Sequence, residues 1–174
     1  DAAGKDLATL YRLNQGPIAV TLDNKRVPFV AVDAPPPGKN VYPWDLTKAE
    51  IDAYLKAHPS DAASLTDLRS LVRRANKSSL DRDLGKLAQY PVLDTLHPGL
   101  KARLTKLAAK PDRAMLYAAP YSVAYADQMI RAHRLLNEAA DAVEADDWAF
   151  AKYLRNRARD LLSDDYESGD AAWL

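Results

Sequence analysis

The side chains of this chain that could do chemistry are three histidines, one serine beside tyrosines, and two adjacent aspartate pairs. A zinc site needs ligands that the backbone brings together, and its local signatures are Cys pairs or two His one helical turn apart. The chain has no cysteine, and His58, His97 and His133 lie far apart with no HExxH among them. His58 and His97 each precede a proline, which puts them at helix ends or turns. No metal ligand set is expected here. Ser122 has no Gly-x-Ser-x-Gly frame and reads as the hydroxyl capping a helix start. The six glycines are not spaced as a phosphate cradle. Asp146-Asp147 reads as a helix N-cap. Asp164-Asp165 falls at a helix end, where negative charge opposes the macrodipole, so the pair is assigned to the start of the next helix.

Recognition by aromatics is the remaining chemistry. Tyr117, Tyr121 and Tyr125 recur every four residues, but Pro120 interrupts any helix that would align them. With Trp173 they are the candidate peptide-contacting residues, against the competing reading that they pack at core edges.

Composition narrows the classes further. The 174 residues carry 24 basic and 24 acidic side chains, a net charge of zero, with 48% hydrophobic residues. The balance is uneven: residues 59–110 hold ten Lys/Arg and five Asp/Glu, and residues 111–174 hold seven and twelve. No basic cluster interleaves with aromatics, which argues against nucleic acid as a partner. No run approaches the ~20 apolar residues of a membrane span. The absence of cysteine suits periplasm and cytoplasm alike, and the start at Asp1 without Met leans towards a processed, periplasmic protein.

The elements that must position these groups follow from periodicity. Residues 4–14 read as a helix with Leu7, Leu10 and Tyr11 on one face, and Gly16-Pro17 stops it. Alternation over residues 18–32 around Asp23-Asn24 reads as a β-hairpin. DAPPPGKNVYPW, residues 33–44, is a polyproline-type connector. Thr47 to Glu50 has the form of a capping box and starts a helix carrying Ile51, Tyr54 and Leu55 inward. Leu65, Leu68, Leu71 and Val72 predict a helix over 61–75, ending on Arg73-Arg74, where the macrodipole favours cations. Helices are expected over 80–90, 98–110 with Pro98 in its first turn, 122–145 and 147–164. Met115–Tyr121 reads as a strand or extended entry. The expected fold is mainly α (α+β): an antiparallel helical array with a small N-terminal β-hairpin. Residues 1–44 form an annex and 45–174 a helical domain cut at its C-terminal edge.

The runs GKNVYPWDLTKAEIDAYL, YPVLDTLHPGLKARL, YAAPYSVAYADQ and LRNRARDLLSDDYESGDAAW together resemble the bacterial branch of the dipeptidyl peptidase III family, zinc peptidases, over residues 38–174. The resemblance implies the N-terminal, lower-lobe-like region of a protein that hydrolyses peptides. It implies zinc only in the intact parent, because the family's HExxGH motif is not in this chain. No cofactor is expected in this chain, and the chain alone should be inactive. Its partners would be the remainder of the parent chain or a second copy, through the apolar edge at Tyr166, Trp173 and Leu174, and peptides. The alternative is a free-standing helical module that binds a protein or peptide without catalysis.

Overall fold

The computed structural model describes residues 2–31 and 41–171, without the side chains of Ala2 and Ser168. It divides into two compact units, Asp1–Asn40 and Val41–Leu174. Residues 33–40 of the polyproline connector lie outside the described residues, as do Trp173 and Leu174.

In the first unit, helix α1 (Ala2–Leu13) ends where Gln15 adopts φ 53° and the Gly16 amide returns to the Tyr11 carbonyl at 2.9 Å. Strands β1 (Ile18–Val20) and β2 (Arg26–Pro28) pair antiparallel, with Ala19 opposite Val27. Their turn is closed by Thr21 and Lys25 and passes through Asn24 at φ 61°, a conformation asparagine tolerates. No residue from 3 to 31 is buried, so the described residues of this unit are held by local hydrogen bonds rather than by a core.

The second unit is built on a two-stranded ribbon that the sequence only half announces. Strand β3 (Ser70–Ala75) pairs antiparallel with β4 (Asp112–Pro120), from Ser70 opposite Pro120 to Arg74 opposite Leu116. The register then slips, and Ala75 meets Asp112. The helix expected over 61–75 is therefore wrong. Only Ala62–Leu65 (α3) is α-helical, after a 3-10 turn over Pro59–Asp61, and Leu68 is 89% exposed. The fold also has two ribbons where one hairpin was expected.

Strand alternation gives the ribbon two covered faces. On one, Val72, Leu116 and Ala118 pack with Leu46, Leu65 and Tyr54 of α2 (Lys48–Ala57). On the other, Ala75, Tyr117 and Ala119 join Leu80 and Leu87 of α4 (Lys77–Gln89), Leu93 of α5 (Pro91–Leu96) and Leu104 of α6 (Leu100–Ala109). The same alternation sends Arg73 and Arg74 to opposite faces. Arg74 grips Glu50 through both terminal nitrogens, at 2.8 and 3.0 Å, and Asp45 through Nε at 3.0 Å. Arg73 meets Asp83 of α4 at 3.0 Å. Neither arginine is a helix-terminal cation.

Beyond β4 come the short α7 (Tyr121–Ala124), α8 (Ala126–Val143), α9 (Trp148–Ser163) and α10 (Glu167–Ala171). The four-residue link between α8 and α9, with Arg155 paired to Asp141 and Glu144 and His133 bonded to the Ala158 carbonyl, sets those helices antiparallel. Fully buried Ala140, Ala151 and Ala158 allow a close approach. Asp147 caps α9 by accepting the Phe150 amide at 2.9 Å. The molecule is thus mainly α with small antiparallel ribbons. Among the described residues no helix is long and apolar enough to cross a membrane.

Candidate functional site

The β3–β4 ribbon floors an open cleft of about 550 Å³ with Ser70, Ala118 and Pro120. Ser64 and Asp67 form one wall, and the α5–α6 corner forms the other with Leu96, His97, Pro98, Leu100 and Arg103. Gly99, at φ 85°, lets that corner turn into α6. Arg103 bonds Asp61 at 3.0 Å, which ties the two walls together.

From the cleft wall His97 reaches inward to a serine and an aspartate that sequence spacing did not bring together. His97 Nε2 lies 2.7 Å from Ser122 Oγ, 3.1 Å from the Leu162 carbonyl and 3.6 Å from Asp164 Oδ2. The Ser122 amide donates to Asp164 Oδ2 at 3.1 Å. The set has the residue types of a nucleophilic triad and the wrong connectivity. A catalytic imidazole takes the serine proton on one nitrogen and is oriented by the carboxylate through the other. Here all three partners crowd Nε2. The Leu162 carbonyl can only accept, so Nε2 carries the proton and cannot act as base toward Ser122. Ser122 is also fully buried. Burial raises the Asp164 carboxyl above its ordinary range, against the Ser122 hydrogen bonds and the neighbouring His97, which lower it. The arrangement is a polar lock joining α5, α7 and the end of α9.

Two expectations are corrected by this geometry. Ser122 sits inside α7, whose N-cap is Pro120. Asp164 does not serve the next helix: it is the left-handed C-cap of α9, at φ 57°. Asp165 does, accepting the Glu167 amide at 3.2 Å.

The proposed aromatic contacts are scattered. Tyr117 is fully buried on β4 and donates to Asp83 Oδ2 at 2.7 Å, which leaves it no surface for a ligand. Burial, and then the charge of Asp83, raise its phenol well above the ordinary range. Tyr121 and Tyr125 meet edge to face at 5.9 Å, and Tyr125 is 42% exposed.

The histidines do not converge. His58 stacks on Tyr54 with ring centroids 4.4 Å apart, and His133 bonds the Ala158 carbonyl and neighbours Asn137. No three His, Cys, Asp or Glu side chains among the described residues stand where one ion could take them together. The residues described do not fit a zinc ion.

No family model matches the chain. Nudix hydrolase 3 of Arabidopsis thaliana is 30% identical over 141 residues, 80% of this chain and 16% of that protein. The structure of DPP III from Caldithrix abyssi superposes on 99% of this chain with a TM-score of 0.68 and 28% identity, over 25% of its own length. The chain thus spans about a sixth of one relative and a quarter of the other. Its fold is that of a segment of DPP III.

Proposed function

We propose that this chain is a non-catalytic region of a dipeptidyl peptidase III-like protein. It would provide part of the lower lobe and leave the chemistry to residues elsewhere. The observation that carries this reading is the likeness to one quarter of a DPP III chain along 99% of the present one. The absence of HExxGH and the misconnected Ser122, His97 and Asp164 support it. By the family resemblance, the whole protein would release dipeptides from peptide N-termini with a zinc-activated water. The partner of this region is then the rest of that protein.

The test is direct. The purified 174-residue chain, with zinc supplied, is incubated with a panel of dipeptidyl arylamides. No release is expected. Zinc-dependent release that disappears in His97→Ala or Ser122→Ala would overturn the reading.

A second reading has one observation in its favour, the edge-to-face pair Tyr121–Tyr125 with Tyr125 exposed. In it the chain is a helical peptide-binding module. Saturable peptide binding by the isolated chain, lost in Tyr125→Ala, would support it.

A further inference from the structure

The corner between α9 and α10 sets contacts that hold it closed against a buried charge that disfavours closure. Asp164 holds a left-handed backbone without being glycine. Asp160, on the last turn of α9, is 1% exposed, and its Oδ1 has no hydrogen-bond partner. Gly169 of α10 lies directly on that carboxylate: a Cβ there would fall well inside contact distance of Asp160 Oδ2. Arg157 reaches Asp160 at 3.4 Å and Asp170 at 2.5 Å, spanning α9 and α10. Arg69 stacks over Tyr166 with its guanidinium carbon 5.2 Å from the ring centroid. α10 is therefore clamped by Gly169, Arg157 and Tyr166 over a carboxylate that would prefer water.

We propose that α10 is a proton-dependent latch, closed over Asp160 in acid and released as Asp160 ionises. Lifting α10 would hydrate Asp160, and closing it would exclude water from the same group. By linkage, the state that disfavours the charge takes up the proton. The charged groups facing Asp160 are Arg157 and Arg159 of α9, Asp165 between the helices, and Asp170 of α10. Burial raises the Asp160 carboxyl most, the two arginines oppose it, and the two aspartates add to it. Asp164 and Tyr166 stand nearby, but Asp164 is held by Ser122 rather than by α10.

The test is amide hydrogen exchange of Asp170, whose amide donates to the Tyr166 carbonyl at 2.9 Å, and of Ala171 in the full chain from pH 4 to 8, corrected for intrinsic rates. The β3 and α4 amides report global opening. Protection of α10 should fall with rising pH by up to tenfold per unit, the limit for one coupled proton, and then level off. Asp160→Asn should abolish that dependence while β3 and α4 stay protected. Gly169→Ala, whose methyl would have to displace the Asp160 carboxylate, should lower the protection of α10 while β3 and α4 stay protected. Protection that is flat in the native chain, or a dependence that survives Asp160→Asn, would overturn the latch.

Discussion

Asp83→Ala should be among the most destabilising single changes in the second unit. Asp83 is fully buried, and Arg73, whose side chain is 13% exposed, lies 3.0 Å away. The Tyr117 hydroxyl donates to its other oxygen at 2.7 Å. Arg73 and Asp83 are close enough to pair, but the Arg73 Nη1 hydrogens are not aimed along the contact, so Coulomb attraction carries it. Removing the carboxylate leaves a nearly buried guanidinium without its counter-charge, which costs about 3–5 kcal/mol. It also strands a buried phenol, worth about 1–3 kcal/mol alone and not additive with the first. A domain of this size is stable by about 5–15 kcal/mol, so about a fifth or more of the total would go. Tyr117→Phe, which removes one charge-assisted hydrogen bond, should cost about 1.5–3 kcal/mol. Lys48→Ala breaks an ion pair whose side chains are 87% and 57% exposed and should cost well under about 1 kcal/mol. Urea midpoints at constant m-value read all three. If Asp83→Ala lies within about 0.5 kcal/mol of Lys48→Ala, the claim that burial sets the worth of this network is refuted.

Three further outcomes follow from the geometry. Thr47 Oγ1 accepts the Glu50 amide at 3.2 Å, so Thr47→Ala should lower stability by about 1 kcal/mol in urea denaturation. Ser122→Ala removes the hydroxyl that faces both His97 Nε2 and the buried Asp164, at about 1–3 kcal/mol, readable by thermal melting. Burial raises Asp83, Asp160 and Asp164 above the unfolded value of 3.8, so the native state takes up protons first as pH falls. Their contribution to stability therefore grows from neutral pH down towards 3.8 and falls as pH rises. Asp45, held down to about 2 by Arg113 and Arg74, works oppositely and loses its contribution below the ordinary carboxylate range. From pH 4 to 7 the stability of the native chain, taken relative to the triple Asn variant of the three raised aspartates, should slope downward with pH.

The helices were legible because their apolar faces are local. Leu80, Leu84 and Leu87, and Leu100, Leu104 and Leu107, fall at helical spacing and pack where that spacing puts them. The hairpin over residues 18–32 was legible from its turn pair. β3 was not. Leu65, Leu68, Leu71 and Val72 imitate a helix, while the strand's own inward positions include Ser70 and Arg74, whose polarity hides the alternation. Its partner β4 lies some forty residues on, so the pairing is a tertiary decision that overrides local pattern. The Ser122, His97 and Asp164 cluster was hidden for the same reason. Its members belong to three elements and meet only when the helices pack on the ribbon. One signal was available: an acidic pair at a helix end breaks the dipole rule, and half of that pair proved to be buried in the lock.

The measurement that bears most directly on the central claim is a chimera. The quarter of the Caldithrix abyssi enzyme that superposes on this chain is replaced by residues 1–174, and dipeptide release is assayed with zinc present. A region that supplies scaffold and no catalytic group predicts a folded chimera that cleaves within about tenfold of the parent. A chimera that melts cooperatively and retains zinc, yet releases no dipeptide, would contradict the account.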